Sequence, residues 1–142
     1  MNIGAILLSW FTFTNKTEGT SNMIFEGISR EFSLKNEDQY NTIGAFWDEM
    51  AALYGNENLQ GLGYDWHGAK MSYAIGLKRG LTKGANVSIE LPDDGWVLVK
   101  GQTDDLKALY DEIYKDGALS YEIETFFEDG SCQIDYYRKN DK

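Results

Sequence analysis

Two stretches of this chain repeat their apolar residues every 3.6 positions, and each is flanked by stretches that repeat every second position. In "NTIGAFWDEMAALYGN", Ile43, Phe46, Trp47, Met50 and Tyr54 fall at offsets 0, 3, 4, 7 and 11, one face of a helix. In "TDDLKALYDEIYKDG", Leu106, Leu109, Tyr110, Ile113 and Tyr114 fall at offsets 0, 3, 4, 7 and 8. Asn41 or Thr42 is the expected N-cap of the first helix and Gly55 its C-terminal left-handed residue. For the second, Thr103 is the expected cap, Asp104 and Asp105 suit the positive end of the dipole, and Gly117 closes it. "MSYAIGLK" and "NVSIEL" alternate as half-buried strands do, and "GWVLVKG" is a short apolar run. "PDDG" predicts a turn or bulge between these last two, and "FEDGSC" predicts a hairpin through Asp129-Gly130.

The two halves follow one plan. "MIFEGISREF", a helix over 42–54, "GLGYDW" and "MSYAIGLK" make the first; "VSIEL" to "WVLVKG", a helix over 103–115, "YEIETFF" and "CQIDYY" make the second. The expected fold class is α+β: duplicated strand-helix-strand-strand units, an antiparallel sheet with two helices on one face, and a cleft at the pseudo-two-fold seam. Residues 1–22 stand outside the plan. Their apolar stretch, in "MNIGAILLSWFTFTNK", is too short to cross a bilayer and lacks the basic flank of a secretory signal. It reads as an extra strand, whose edge could pair with a second copy to make a homodimer. Residues 23–142 read as one domain.

Charge narrows the function. Thirteen Lys and Arg stand against 23 Asp and Glu, a net charge of −10, with no basic run to displace counterions from a phosphate backbone. Nucleic acid and membrane are therefore not expected partners. One Cys, Cys132, and one His, His67, leave no disulfide framework and no zinc ligand set, and point to a reducing cytoplasm. Cys132 reads as a small buried hydrophobe and His67 as a loop residue. "GLGYDW" lacks the third glycine and following helix of a dinucleotide loop, so no cofactor is expected.

The residues with chemical potential lie in "YEIETFF". Glu122 and Glu124 share one strand face, and periodicity alone turns Ile123 and its neighbours to the helices and the glutamates to water. Phe126 on the glutamate face, with Tyr136 and Tyr137 on the next strand, is at odds with a plain solvated surface. A glycosidase needs carboxyls about 5–5.5 or 6.5–9.5 Å apart on opposite sides of a sugar, and an i, i+2 pair supplies the distance but not the opposition. Aromatics, 14% of the chain, serve cores or pockets. Trp47 lies on a core helix face; Trp66 and Trp96 could line a cleft.

"FEGISREFSL", "TIGAFWDEM", "MSYAIGLK", "IELPDDGWVLVKG" and "IETFFEDG", in that order, together resemble the GyrI-like (gyrase-inhibitor-like) small-molecule-binding family. That family includes effector-binding domains of AraC- and MerR-type multidrug-responsive transcription regulators. The resemblance spans about four-fifths of the chain, from Phe25 to Tyr137. It implies a duplicated fold around an aromatic cavity, with a glutamate that pairs with a cationic, drug-like ligand. The motif position falls on Glu124, with Glu122 as the register-shifted alternative; Phe126, Tyr73 and Trp96 match the family's aromatics. The final "CQIDYYRKNDK" lacks the family's apolar-Pro ending, and no helix-turn-helix unit accompanies the domain. Two other readings stay open: a hydrolase of an electrophilic toxin with Glu124 as general acid/base, and an acidic protein-interaction module.

Overall fold

The computed structural model describes residues 22–78 and 83–138. The expected strand in the first 22 residues, and any dimer built on it, lies outside the described residues except for Asn22, which opens β1. In chain order the elements are β1 (Asn22–Ser33), α1 (Gln39–Tyr54), β2 (Leu59–His67), β3 (Lys70–Leu77), β4 (Val87–Pro92), β5 (Val97–Gln102), α2 (Leu106–Tyr114), β6 (Tyr121–Phe126) and β7 (Ser131–Tyr137). The seven strands form one sheet in the order β4-β1-β3-β2-β6-β7-β5, every neighbour antiparallel. About the β2–β6 seam the strand order β1-β3-β2 is matched by β5-β7-β6, and each half carries one helix between its first two strands in sequence. The duplicated plan is thus the architecture. No helix among the described residues is long and apolar enough to cross a membrane.

The sheet cannot be flat. β4 and β5 lie at its two ends, yet only residues 93–96 join them. Residues in extended chain span at most about 3.5 Å each, so the ends must approach and the sheet curls into a half-barrel. Inside the curl, Leu91 of β4 packs with Met23, Phe25, Leu62, Ala74 and Ile123 in one buried cluster. Trp96, in the linker, donates from Nε1 to the Pro92 carbonyl at 2.8 Å and lies against Tyr121 and Tyr137. Both helices cover the outer face: Phe46, Trp47 and Met50 of α1 pack on Leu59, Met71, Tyr73 and Ile75, while Tyr110 and Ile113 of α2 pack on Ile134.

The helix starts differ from expectation. Asn41 and Thr42 lie inside α1, which begins after a 3-10 turn at Lys35–Glu37, with Asp38 at the cap position and no side-chain cap bond. Thr103 opens a 3-10 turn, and the α-helix follows only from Leu106. In each case the tighter turn pairs one leading donor, Asp38 N–H with the Lys35 carbonyl and Leu106 N–H with the Thr103 carbonyl. Gly55, at φ 86° and ψ 129°, ends α1 with a positive φ but an extended ψ instead of the expected left-handed helical one, and Gly117, at φ 123°, follows the end of α2.

Curling also buries a carboxyl that periodicity would leave wet. Asp135 of β7 is 0% exposed, level with Ile123 and Leu98 on the inner face. Its Oδ2 accepts from Gln133 Nε2 at 3.1 Å, and Oδ1 has no hydrogen-bond partner. Burial pushes the carboxyl up to about 7 from 3.8, with the Gln133 bond opposing. Its favourable contribution is complete below the unfolded value and is lost as pH rises through the folded one. Asp135→Asn removes that loss, so the variant should gain on wild type between about pH 4 and about pH 7, reaching about 4 kcal/mol. Urea melts across this range measure it; a constant offset between the two proteins would show that Asp135 stays ionised.

Candidate functional site

A cavity of about 440 Å³ opens on the outer face of the sheet, where the two helices diverge over the β2–β6 seam. α1 contributes Tyr40, Ile43, Trp47 and Asp48 to its wall, α2 contributes Leu106, Tyr110 and Tyr114, and β3 contributes Met71 and Tyr73. β6 supplies Glu122, Glu124 and Phe126. Of the residues singled out from sequence, Glu124, Glu122, Phe126, Tyr73 and Trp47 come together here. Trp66 and Trp96 do not. Trp66 lies on β2 beyond a break in register between Tyr64 and His67, half-buried against both outer-face clusters, and Trp96 packs at the inner face.

The glutamates face the helices, not water: Glu122 is 4% and Glu124 5% exposed. Glu124 is held by a relay. The Trp47 indole can only donate, and it donates to Tyr73 Oη at 2.8 Å, so the Tyr73 proton points on to Glu124 Oε1. Tyr110 donates to Glu124 Oε2 at 2.5 Å, and Tyr114 donates to Glu122 Oε1 at 3.0 Å. The Tyr110 and Tyr114 rings stack at 5.5 Å, as residues four apart on a helix can. Among the described residues of the wall stand three acids, Asp48, Glu122 and Glu124, and no Lys, Arg or His.

Burial raises both glutamates above the usual carboxylate range. For Glu122, which goes well above it, the Glu124 charge adds to burial while Tyr114 and Tyr110 oppose. For Glu124 burial acts alone, and Tyr110 and Tyr73 oppose it. Burial, followed by the charge of the glutamates, pushes Tyr73 and Tyr110 well above the ordinary phenol value, so both remain donors. Tyr40 is pushed up to about 12, chiefly by burial.

Two glycines make room for this arrangement. On β2, Gly61 lies opposite Glu124 and Gly63 opposite Glu122. A Cβ on Gly61 would stand 2.0 Å from Tyr73 Oη, and one on Gly63 would stand 2.9 Å from Glu122 Oε2. "GLGYDW" is therefore the floor beneath an acid pair, where any side chain would fill the space the carboxylates and phenols use. His67 is exposed at the end of β2 beside Glu31 Oε2 at 3.2 Å, and Cys132 is buried on β7, so neither enters the site. Sequence reasoning missed Tyr40, Tyr110 and Tyr114 as cavity residues. Their signal was available in part: Tyr110 and Tyr114 sit on a buried stripe, and a buried phenol needs an acceptor.

Fold and cavity together define a two-fold repeated α+β half-barrel with an acid-floored, aromatic-walled hollow at its seam. Solved structures that share this fold include the following two. SAV2435 bound to tetraphenylphosphonium superposes with a TM-score of 0.60 over 85% of this chain and 91% of that one, at 14% identity. The integron cassette protein VCH_CASS2, from the mobile metagenome of Vibrio cholerae, gives a TM-score of 0.58 over 84% of this chain and 97% of that one, at 13% identity. No protein-family model and no curated protein matches the sequence.

Proposed function

We propose that this chain is a small-molecule-binding domain of the GyrI-like kind, which takes lipophilic, aromatic cations and pairs their charge with Glu124. The observation that carries this reading is the lining: buried carboxyls and aromatic faces, with no basic side chain among the described residues to neutralise them. An acid in such a place costs free energy when ionised, because burial disfavours its charge. A cation that sheds its water to enter restores the balance, and each aromatic face adds about 0.5–2 kcal/mol of cation–π attraction. A neutral ligand gains apolar burial only, and an anion meets repulsion as well. That SAV2435, with the same fold, is bound to tetraphenylphosphonium supports the choice of ligand class.

The test uses two ions of nearly the same shape and opposite charge. Tetraphenylphosphonium should quench Trp47 fluorescence with micromolar affinity, and tetraphenylborate should not bind at the same concentrations. Equal binding of the two would mean that shape and greasiness, not charge, govern the site. Absence of tetraphenylphosphonium binding would remove the reading altogether.

A further inference from the structure

The two buried glutamates are unequally served. Three phenol hydroxyls face four carboxylate oxygens: Tyr73 and Tyr110 donate to the two oxygens of Glu124, and Tyr114 donates to Glu122 Oε1. Tyr110 also reaches Glu122, but a hydroxyl carries a single proton and cannot serve both acids at once. Glu122 is the acid left short. A first negative charge therefore settles on Glu124, and a second one on Glu122 requires a counter-ion of its own. The two carboxyls point the same way from one strand, about 7 Å apart at their Cα atoms. Gly63, opposite on β2, carries no side chain to displace the Glu122 carboxyl: a Cβ there would stand 2.9 Å from its Oε2.

We propose that Glu122 is a second cation subsite, so that the cavity prefers dications, with two positive centres held apart by one aromatic ring, over monocations of the same skeleton. This rests on the reading of the cavity as a cation site. With a monocation beside Glu124, Glu122 keeps its proton. When a second positive centre enters, the Glu122 O–H bond breaks, the proton leaves to solvent, and the carboxylate stays paired with the incoming charge. The groups facing Glu122 are Glu124 on its own strand, its register partner Tyr136 on β7, and Tyr110 and Tyr114 on α2. From α1 come Tyr40 and Asp48, and from β3 Tyr73. None is a cation, so none competes with the ligand's second charge.

Isothermal titration with benzyltrimethylammonium and its bis-quaternary para-xylylene analogue tests this, because both probes keep their charge at every pH. The bis-cation should bind about tenfold tighter at mildly alkaline pH, with the gap widening as pH rises. In buffers of different protonation enthalpy it should release about one proton more per molecule than the monocation. Glu122→Gln, which keeps an acceptor for Tyr114, should abolish the preference. If both probes bind and the bis-cation gains nothing, or if its gain survives in Glu122→Gln, the second subsite is wrong while the cation-site reading stands. If neither probe nor tetraphenylphosphonium binds, both fall.

Discussion

Glu124→Gln should weaken tetraphenylphosphonium binding by about a hundredfold, the size of effect expected when a desolvated cation loses its buried partner. Glutamine keeps the shape, and its carbonyl still accepts from one of the two phenols, so the walls and the cavity volume are retained. What is lost is the charge. Stability should move the other way. A carboxyl whose folded-state pKa is raised loses its favourable contribution as pH climbs through that value, and an amide has nothing to lose. The variant should therefore melt at or above the wild-type temperature at neutral pH while binding far less. Calorimetry beside a tetraphenylphosphonium titration reads both quantities from one sample. A variant that binds as wild type does would make Glu124 a structural acid, and one that melts lower would mean the carboxylate's hydrogen bonds outweigh its burial.

Gly61→Ala should be the most damaging single-methyl change in the site, costing about 3 kcal/mol of stability. The added carbon would stand 2.0 Å from Tyr73 Oη and 2.6 Å from the ring carbon that carries it. Tyr73 has nowhere to retreat: it is 1% exposed, edge-on to Phe32, and bonded to both Trp47 and Glu124. Any shift that relieves the clash breaks the relay and leaves an indole N–H or a carboxylate oxygen without its partner, each at about 1–3 kcal/mol. Urea denaturation gives the stability, and ligand titration on the folded fraction should show the same loss as Glu124→Gln. Gly44→Ala serves as the control, since nothing lies within 4 Å of a Cβ there. A Gly61→Ala protein as stable as Gly44→Ala would mean that β2 yields freely.

Much of the architecture is legible in the residues because each element obeys one local period. The stripe from Ile43 to Tyr54 and the alternation of Met71, Tyr73, Ile75 and Leu77 identify α1 and β3 without tertiary information. Which way β6 faces is not legible from such patterns. Periodicity assumes that a sheet has one dry side, and on that assumption Ile123 goes to the helices and Glu124 to water. Closure by the short β4–β5 linker gives the sheet two dry sides: Ile123 fills the interior of the curl, and the glutamates turn to the helices. The same closure buries Asp135 and draws Trp96 inward, away from the cavity. Tyr110 and Tyr114 read as ordinary core residues because an aromatic stripe on a helix looks alike whether its hydroxyls meet water or acid. The pair of glycines in "GLGYDW" carried the missing information, but only a register that sets them against Glu122 and Glu124 makes it readable.

β4 comes from the second half of the chain yet is hydrogen-bonded to β1 of the first. It acts as a clasp, and with the β2–β6 ladder it stitches the halves together along two separate lines. The halves cannot swing apart like the shells of a clam without breaking main-chain bonds on both lines. The hollow opens on the side where no ladder runs, over the outer face between α1 and α2. Tyr114, 38% exposed, stands on that side as the doorpost.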